Sequence, residues 1–223
     1  MCRMARSGPG RPALTRCRAC HAQWRHATPC PGHTAQVTPL IVSTFLAILA
    51  VIALGGVLLT LLFLAADRTG LVPGVMDALR TTVGPAGPWL AVLVASAAMA
   101  GSLYFSEVAG FVPCALCWYQ RIAMYPLVLL LGIAAWRGDP GVRRYAAPLA
   151  AVGATLSIWH IAVERMPGLP SGSCSAVAPC DLIWVERFGF VTIPVMALAG
   201  FLSILTLLLV YGGGHPSAPE TAS

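Results

Sequence analysis

The sequence predicts an all-α membrane protein: a four-helix transmembrane bundle with one additional N-terminal transmembrane helix. First, 57% of the 223 residues are hydrophobic and only 10% are charged, whereas soluble domains carry about 25% charged residues. Second, the apolar residues fall in five runs that are each long enough to cross a bilayer. Third, arginines cluster in a short turn between two of these runs, as is typical of cytoplasmic turns.

The elements follow in order along the chain. Residues 1–39 are rich in Arg, Pro, Gly and Ala without apolar periodicity, and are predicted to be disordered. Residues 40–66 contain no charge and predict the additional helix. Residues 67–87 contain several turn residues and predict a loop. The four-helix core is expected over residues 88–211, with spans at 89–106, 117–136, 145–163 and 188–211, and a polar tail at 212–223.

Loop charges predict the orientation of the core. The turn at residues 137–144 contains three arginines and is expected to be cytoplasmic, so the loops on either side of it along the chain face outward. Five spans then put residues 1–39 outside as well, although six arginines there oppose the positive-inside rule. Either the first helix does not span simply, or the rule fails here, or the true start lies downstream, for example at Val37.

The N-terminal segment also carries a Cys/His cluster for which no function is predicted. Its C-x-x-C-H string resembles a c-type haem attachment site and half of a zinc site, but the segment is short and rich in Arg. The net charge of +6 does not predict nucleic-acid binding, because six of the 14 basic residues lie in this segment beside a membrane span. The residues left without a role are Cys2, Cys17, Cys20, Cys30, His21, His26 and His33.

Cys114 and Cys117, here called the first pair, form a C-x-x-C motif at the predicted start of a span. A helix N-terminus lowers the pKa of a thiol and favours exchange, and Pro113 marks where the helix begins. Arg121 lies one turn deeper on the same helix face. A buried Arg in a span indicates function, here stabilising a thiolate or binding a polar head such as a quinone carbonyl. The alternative is an interfacial Arg that extends to lipid head groups.

Cys174 and Cys180, the second pair, lie in the longest loop of the core, on the same predicted external side. Such a small loop can close an exchanging disulfide, or a static one that only staples the loop. His160 is near the external end of its span, where it is either close to Arg121 or an ordinary interfacial histidine. Since C-x-x-C also occurs in zinc sites, four cysteines on one face leave a structural zinc site open.

Two motifs carry a resemblance to a known family. Residues 114–126, with the sequence CALCWYQRIAMYP, and residues 188–194, with the sequence FGFVTIP, resemble the DsbB family of disulfide bond formation proteins, and most closely its short-loop, BdbC-like branch. The resemblance covers roughly residues 88–211. Three features depart from the family pattern: the helix at 40–66, the N-terminal extension, and a second-pair loop too short for docking by a long flexible segment.

The resemblance implies a four-helix oxidoreductase of the bacterial cytoplasmic (inner) membrane, with both pairs on the extracytoplasmic side. It would reoxidise a thioredoxin-like dithiol oxidase (DsbA-like) and pass electrons to a membrane quinone, ubiquinone or menaquinone. By position, Cys174 and Cys180 would exchange with the partner, with Cys174 as the site of the mixed disulfide. Cys114 and Cys117 would relay electrons inward, with Cys117 as the thiolate facing the quinone beside Arg121 and His160. A transient Cys114–Cys180 bridge would link the pairs.

Three alternatives are weighed against this function. A vitamin K epoxide reductase-like enzyme also uses four cysteines and a quinone, but there the loop pair precedes the C-x-x-C, and here it follows. A non-enzymatic membrane protein could hold the four cysteines in a structural zinc or disulfide clasp. A transporter is disfavoured by the single intramembrane charge and the absence of paired helices broken by Gly or Pro.

Overall fold

The computed structural model describes residues 33–166, 169, 174 and 178–211, with the backbone alone for 33–38 and 211. The compact unit described below begins at Pro39. The predictions for residues 1–32 and for the tail at 212–223 lie outside the described residues, whereas residues 33–39, predicted to be disordered, are helical. The predicted N-terminal Cys/His cluster therefore has no structural account, apart from His33 as the first residue of a helix.

Six α-helices make up the described part of the chain. Two π-helical turns, Tyr104–Val108 and Leu207–Tyr211, each continue the α-helix before them, and two 3-10 turns, Gly84–Ala86 and Pro140–Val142, each precede an α-helix. Five helical segments are long and apolar enough to cross a membrane, which confirms the predicted all-α membrane class. In chain order the helices are α1 (His33–Arg68), α2 (Val75–Val83), α3 (Gly87–Leu103), α4 (Ala115–Arg137), α5 (Arg143–Arg165) and α6 (Ile193–Thr206).

Part of the segment predicted to be a loop is helical. Helix α2 occupies Val75–Val83, within residues 67–87, so the loop prediction is wrong there. Its apolar residues recur at helical spacing, and Met76 is fully buried. Nine residues flanked by turn-forming glycines and prolines are too few for this periodicity to stand out in the sequence. The second candidate span accordingly begins at Val75 and runs to Val108.

The last span begins later than predicted, because residues 186–192 form a β-hairpin. Its strands, β1 (Glu186–Arg187) and β2 (Val191–Thr192), are antiparallel. Phe188 and Gly189 adopt positive φ angles of 55° and 74° at the turn, which a helix start at residue 188 would not allow. The hairpin leads directly into α6, with Pro194 in the first turn of that helix.

Polar contacts fasten this hairpin to the end of α5. Thr192 Oγ1 donates to Glu164 Oε2 at 2.7 Å. Arg165 pairs with Glu186 at 3.3 Å and also donates to the backbone carbonyl of Phe190. The hairpin, which follows the second pair in the sequence, is thus held against the C-terminal end of α5.

Small residues let the core helices approach closely. Alanines 91, 95, 123, 146, 150 and 154 are all buried in one cluster with leucines of α4, as is common where helices pack in membranes. At Gly153 of α5 a Cβ would overlap the ring of Phe201, which is fully buried on α6. Glycine is therefore required there by the close approach of α5 and α6.

Helix α1 contacts the core through a narrow stripe. Ser43 and Ala47 are fully buried and Ala50 nearly so, whereas most of the neighbouring leucines and isoleucines are exposed. Ser43 Oγ accepts two hydrogen bonds from Arg187 of the hairpin, at 3.1 and 2.9 Å. Leu46 lies against Gly101 of α3, where an added Cβ would come within 2.9 Å of its side chain. Ser43 of α1 therefore lies at the same end of the bundle as the hairpin.

Candidate active site

The first pair lies at the start of α4. Cys114 is the N-cap residue of the helix, with φ −74° and ψ 172°, and its sulfur accepts the backbone N–H of Cys117 at 3.3 Å. The two sulfurs are 2.9 Å apart and both thiols are free. A capping residue needs a side-chain acceptor, usually Ser, Thr, Asp or Asn, and here a sulfur takes that role. The i, i+3 spacing thus places both sulfurs at one helix end, within reach of disulfide formation.

The second pair is oxidised and lies against the first. Cys174 and Cys180 form a disulfide with Cα atoms 5.7 Å apart. Cys180 is only 2% exposed and belongs to one buried cluster with Cys114, Leu116 and Val163, and Cys117 and Cys174 pack against it. All four sulfurs predicted to react are therefore gathered at one end of the bundle.

His160, on α5, contacts both pairs. Its Nε2 is 3.6 Å from the Cys114 sulfur and 3.2 Å from the backbone carbonyl oxygen of Cys180. On the other side of the ring, the Gln120 amide nitrogen is 3.3 Å from Nδ1. Because the amide donates, Nδ1 accepts and Nε2 carries the proton toward the sulfur and the carbonyl. His160 is 3% exposed, so it is a buried link between the pairs and not an interfacial side chain.

These contacts favour a thiolate at Cys114. The hydrogen bond from the Cys117 thiol lowers its pKa most, burial opposes this, and the hydrogen bond from His160 lowers it further, so that the pKa of Cys114 falls from 9.0 to about 4. The position at a helix N-terminus acts in the same direction. Of the first pair, Cys114 is therefore the residue that carries negative charge at neutral pH, whereas the family resemblance implies a thiolate at Cys117.

Arg121 is buried about one helical turn after Cys117 on α4. Its Nε donates to Ser102 Oγ at 2.9 Å and one terminal nitrogen donates to the Ser102 carbonyl at 2.8 Å. The guanidinium also lies over the Trp118 ring, 5.3 Å from its centroid. Arg121 is 9% exposed, so it does not extend to lipid head groups. These bonds fix the guanidinium between α3 and α4.

A cavity of about 550 Å³ opens beside the first pair. Its walls are mainly apolar and come from α1, α3, α4 and α6. Polar side chains line it at the end near the first pair: Ser102, Ser106, Cys117, Gln120 and Arg121. Cys117 lines the cavity, whereas Cys114 and His160 face the second pair. The structure thus separates the two site residues predicted for a polar head group: Arg121 lines the cavity and His160 does not.

Three stacked aromatic rings line part of the cavity. Phe105 and Phe111 stack with centroids 5.8 Å apart, and Phe111 stacks on Trp184 at 5.0 Å. Trp184 comes from the loop after the second pair, so this loop contributes to the cavity. Phe188 and Phe190 of the hairpin remain exposed.

Three features of the site are not apparent from the sequence. Gln120 orients His160, Ser102 holds Arg121, and α1 forms part of the cavity wall. Gln120 could have been noticed as an uncharged polar residue inside an apolar span. Neither Ser102 nor α1 gives such a signal, because Ser is common in membrane helices and α1 lies outside the four-helix pattern.

A zinc site built from four cysteines is not formed in the structure, since Cys174 and Cys180 are bonded to each other. Within the described residues, one cluster has three potential ligands: Cys114, Cys117 and His160, with ligand atoms within 4.8 Å of one another. A closed structural zinc site needs a fourth ligand. The cluster therefore fits dithiol chemistry better than a structural metal.

Comparison with known proteins gives a consistent result. A family model described as disulfide bond formation protein DsbB matches residues 86–178. The disulfide bond formation protein C of Bacillus subtilis (strain 168) is 49% identical over 127 residues, which is 56% of this chain and 89% of that protein. A probable disulfide formation protein C of Halalkalibacterium halodurans is 42% identical over 126 residues, 56% of this chain and 89% of that protein. A probable disulfide formation protein of Oceanobacillus iheyensis is 44% identical over 115 residues, which is 51% of this chain and 79% of that protein. No solved structure matches.

Proposed function

This chain belongs to the DsbB family of disulfide bond formation proteins, and on that premise we propose a specific redox path. It reoxidises an extracytoplasmic, thioredoxin-like dithiol oxidase (DsbA-like) and passes the electrons to a membrane quinone. The observation that carries the proposal is the position of the first pair, between the second pair and an apolar cavity. His160 contacts Cys114 and the Cys180 carbonyl on one side, and Cys117 lines the cavity on the other.

The first exchange takes place at the second pair. A thiolate of the partner attacks the Cys174 sulfur, a partner–Cys174 bond forms and the Cys174–Cys180 bond breaks. The partner's other thiolate then resolves the mixed disulfide, which leaves the partner oxidised and the second pair reduced by two electrons. The burial of Cys180 against His160 supports attack at the half-buried Cys174.

The second exchange passes the electrons to the first pair. The Cys180 thiolate attacks Cys114 of the oxidised first pair, so that a transient Cys114–Cys180 bridge forms and the Cys117 thiolate is released. Cys174 then attacks Cys180, which restores the second disulfide and releases Cys114 as a thiolate. His160 stabilises that thiolate through Nε2–H. The net result is a reduced first pair, carrying two electrons, beside the cavity.

The cavity residues fit a quinone. A ring with carbonyl oxygens needs hydrogen-bond donors at one end of a largely apolar site, and Arg121 and Gln120 are at that end. These two residues would hold the head, with Cys117 beside it. A quinone supplies an acceptor for two electrons and two protons. Ubiquinone and menaquinone both belong to this class.

We also propose that the protein lies in the bacterial cytoplasmic membrane with both pairs outside. Within the described residues, two arginines outside the cavity, Arg165 and Arg187, lie at the pairs' end of the bundle, and five lie at the opposite end, before α3 and around the turn between α4 and α5. The positive-inside rule makes that end cytoplasmic. In this arrangement residues 88–211 form the DsbB-like core, and residues 40–66 form an added transmembrane helix.

Reduction of a soluble quinone analogue by the purified chain tests the proposal, with a reduced thioredoxin-like dithiol oxidase as electron source. We expect Cys117→Ala to abolish quinone reduction, because no first disulfide can form. Arg121→Ala should raise the apparent KM for quinone while exchange with the partner continues. Arg137→Ala is the matched control: the same residue type at the far end of α4, exposed and outside the cavity.

Two results would contradict the proposal. Normal turnover of Cys117→Ala would refute the relay through the first pair, and an unchanged quinone dependence of Arg121→Ala would remove Arg121 from the site. Metal content of the purified chain tests the remaining alternative. Stoichiometric zinc held by the four core cysteines would favour a structural clasp over an oxidoreductase.

A further inference from the structure

Helix α1 lies upstream of the segment matched by the family model, which begins at residue 86. It nevertheless contributes six residues to the cavity: Phe45, Leu46, Leu49, Ala50, Ile52 and Ala53. These positions span about two turns on one side of the helix. Helix α1 packs Ser43 and Ala47 against the bundle, and the neighbouring positions as far as Ala53 line the cavity. Its contact with the core therefore also completes one wall of the cavity.

The two ends of the cavity differ in chemistry. The donors Arg121 and Gln120 and the sulfur of Cys117 come from α4. All six residues from α1 are apolar, so α1 offers nothing to a carbonyl or an ionised ring. A molecule with a polar head at α4 would therefore contact α1 through a hydrocarbon part.

Helix α1 is held in place where it borders this cavity. Ser43 accepts two hydrogen bonds from Arg187 of the hairpin that follows the second pair. One turn later, Leu46 fills the space that the missing side chain of Gly101 leaves on α3. These contacts fix the part of α1 that precedes Leu49, Ala50 and Ala53, so that the cavity keeps a formed wall on this side.

We propose that α1 is the tail-binding wall of the quinone site and contributes affinity for the isoprenoid tail, a role the four-helix core would leave to the lipid. The proposal rests on the proposed function, because it takes the occupant of the cavity to be a quinone. The head is held by α4, and the apolar tail lies between α1 and the facing helices. A membrane lipid acyl chain is the competing occupant, and the test separates the two.

Equilibrium binding of quinones tests the wall without relying on turnover. Quinones quench tryptophan fluorescence, and Trp184 lines the cavity, so Kd is measured by titration with a long-tailed quinone and with its tail-less head group. The variant Ala50→Trp adds an indole to the wall from a position that is 6% exposed. The control Leu58→Trp adds the same indole on α1 at a position 59% exposed and outside the cavity lining.

We expect Ala50→Trp to weaken binding of the long-tailed quinone about tenfold, because the indole takes up cavity volume that the tail would occupy. Binding of the tail-less head group should change less than about twofold, and Leu58→Trp should change neither. The amount of quinone that copurifies with Ala50→Trp, measured after solvent extraction, should fall in parallel. If Ala50→Trp does not fold, Ala53→Leu adds less volume to the same wall and should give the same pattern.

Three results would refute the proposed role of α1 in binding the tail. They are an unchanged Kd for the long-tailed quinone in Ala50→Trp, an equal loss for the tailed and tail-less ligands, and a copurified lipid in place of quinone. Failure of the proposed function looks different, because the unmodified chain itself would then bind no quinone. An unmodified chain that binds quinone, with an Ala50→Trp variant that binds it equally well, would refute only the role of α1.

Discussion

Replacement of His160 by Ala should raise the pKa of Cys114. Three contacts define the environment of this sulfur: the Cys117 thiol at 2.9 Å, the Cys117 backbone N–H at 3.3 Å and His160 Nε2 at 3.6 Å. The Cys117 thiol lowers the pKa most, burial raises it, and the His160 hydrogen bond lowers it again, toward about 4. His160→Ala removes the last of these donors and leaves the bonds from Cys117.

The size of the change follows from the donor that is lost. A hydrogen bond to a charged group contributes about 1.5–3 kcal/mol, and one pKa unit corresponds to about 1.4 kcal/mol. The loss of His160 should therefore raise the pKa of Cys114 by about 1–2 units. The sign is fixed, because a donor stabilises the thiolate and its removal favours the neutral thiol. At pH 7 most of the Cys114 sulfur should still be ionised, so the effect is visible only in a titration.

The rate at which iodoacetamide alkylates Cys114 reports its thiolate fraction. The rate is measured from pH 3 to 9 on the reduced chain, with the peptide that carries Cys114 quantified by mass spectrometry. Because each variant is compared with its own plateau, slow access to a buried sulfur cancels. Ser157→Ala is the matched control, a buried polar residue on the same helix whose hydroxyl donates only to the Gly153 carbonyl. A midpoint for His160→Ala equal to that of Ser157→Ala would refute the reasoning.

Three further predictions concern redox potential and packing. The reduction potential of the first pair should fall by about 30 mV per pH unit between pH 5 and 8, not about 59 mV, because only one of its two sulfurs takes up a proton on reduction. Equilibration with glutathione at several pH values measures this slope. A slope of about 59 mV per pH unit would contradict the prediction. Gly153→Ala should destabilise the chain by about 1–3 kcal/mol, since the new Cβ overlaps the Phe201 ring, whereas Gly132→Ala, with open space around it, should not. Thermal unfolding in detergent compares the two variants, and equal melting temperatures would argue against this packing contact. Ser43→Ala should lower the free energy of unfolding by about 1–3 kcal/mol, because it removes the Ser43 acceptor of the Arg187 guanidinium. An unchanged melting temperature would show that this hydrogen bond does not hold α1.

The fold was predictable where hydrophobic length alone decides the structure. Spans such as residues 40–66 and 117–136 are uncharged or nearly so, and a bilayer leaves few alternatives for such a run. The elements that were missed are those whose stability comes from tertiary contacts. Helix α2 is stabilised by burial of Met76, and the hairpin by bonds from Arg165. Neither partner can be read from the local sequence.

The candidate site likewise combines features that the sequence predicts with features that depend on how the helices pack. The spacing of Cys114 and Cys117 implies proximity, because one helical turn joins them. The closeness of His160 to Cys114 depends on how α4 and α5 pack, because the two residues are 46 positions apart in the sequence. Periodicity can assign His160 to a helix face but cannot name the residue opposite. For that reason the sequence suggested a place beside Arg121, and the structure puts the ring between the two cysteine pairs.

The sulfur cap of α4 has a consequence for coupling between the two ends of the site. As a thiolate, Cys114 accepts the Cys117 backbone N–H and completes the first turn of the helix. As half of a disulfide it is neutral and a poorer acceptor, so oxidation weakens the cap. The turn that is loosened carries Trp118 and leads directly into Arg121. The redox state of the sulfur should therefore alter affinity in the cavity, and by linkage a ligand in the cavity should shift the redox equilibrium by the same free energy. The N-terminus of α4 would then couple the redox state of Cys114 to ligand binding in the cavity.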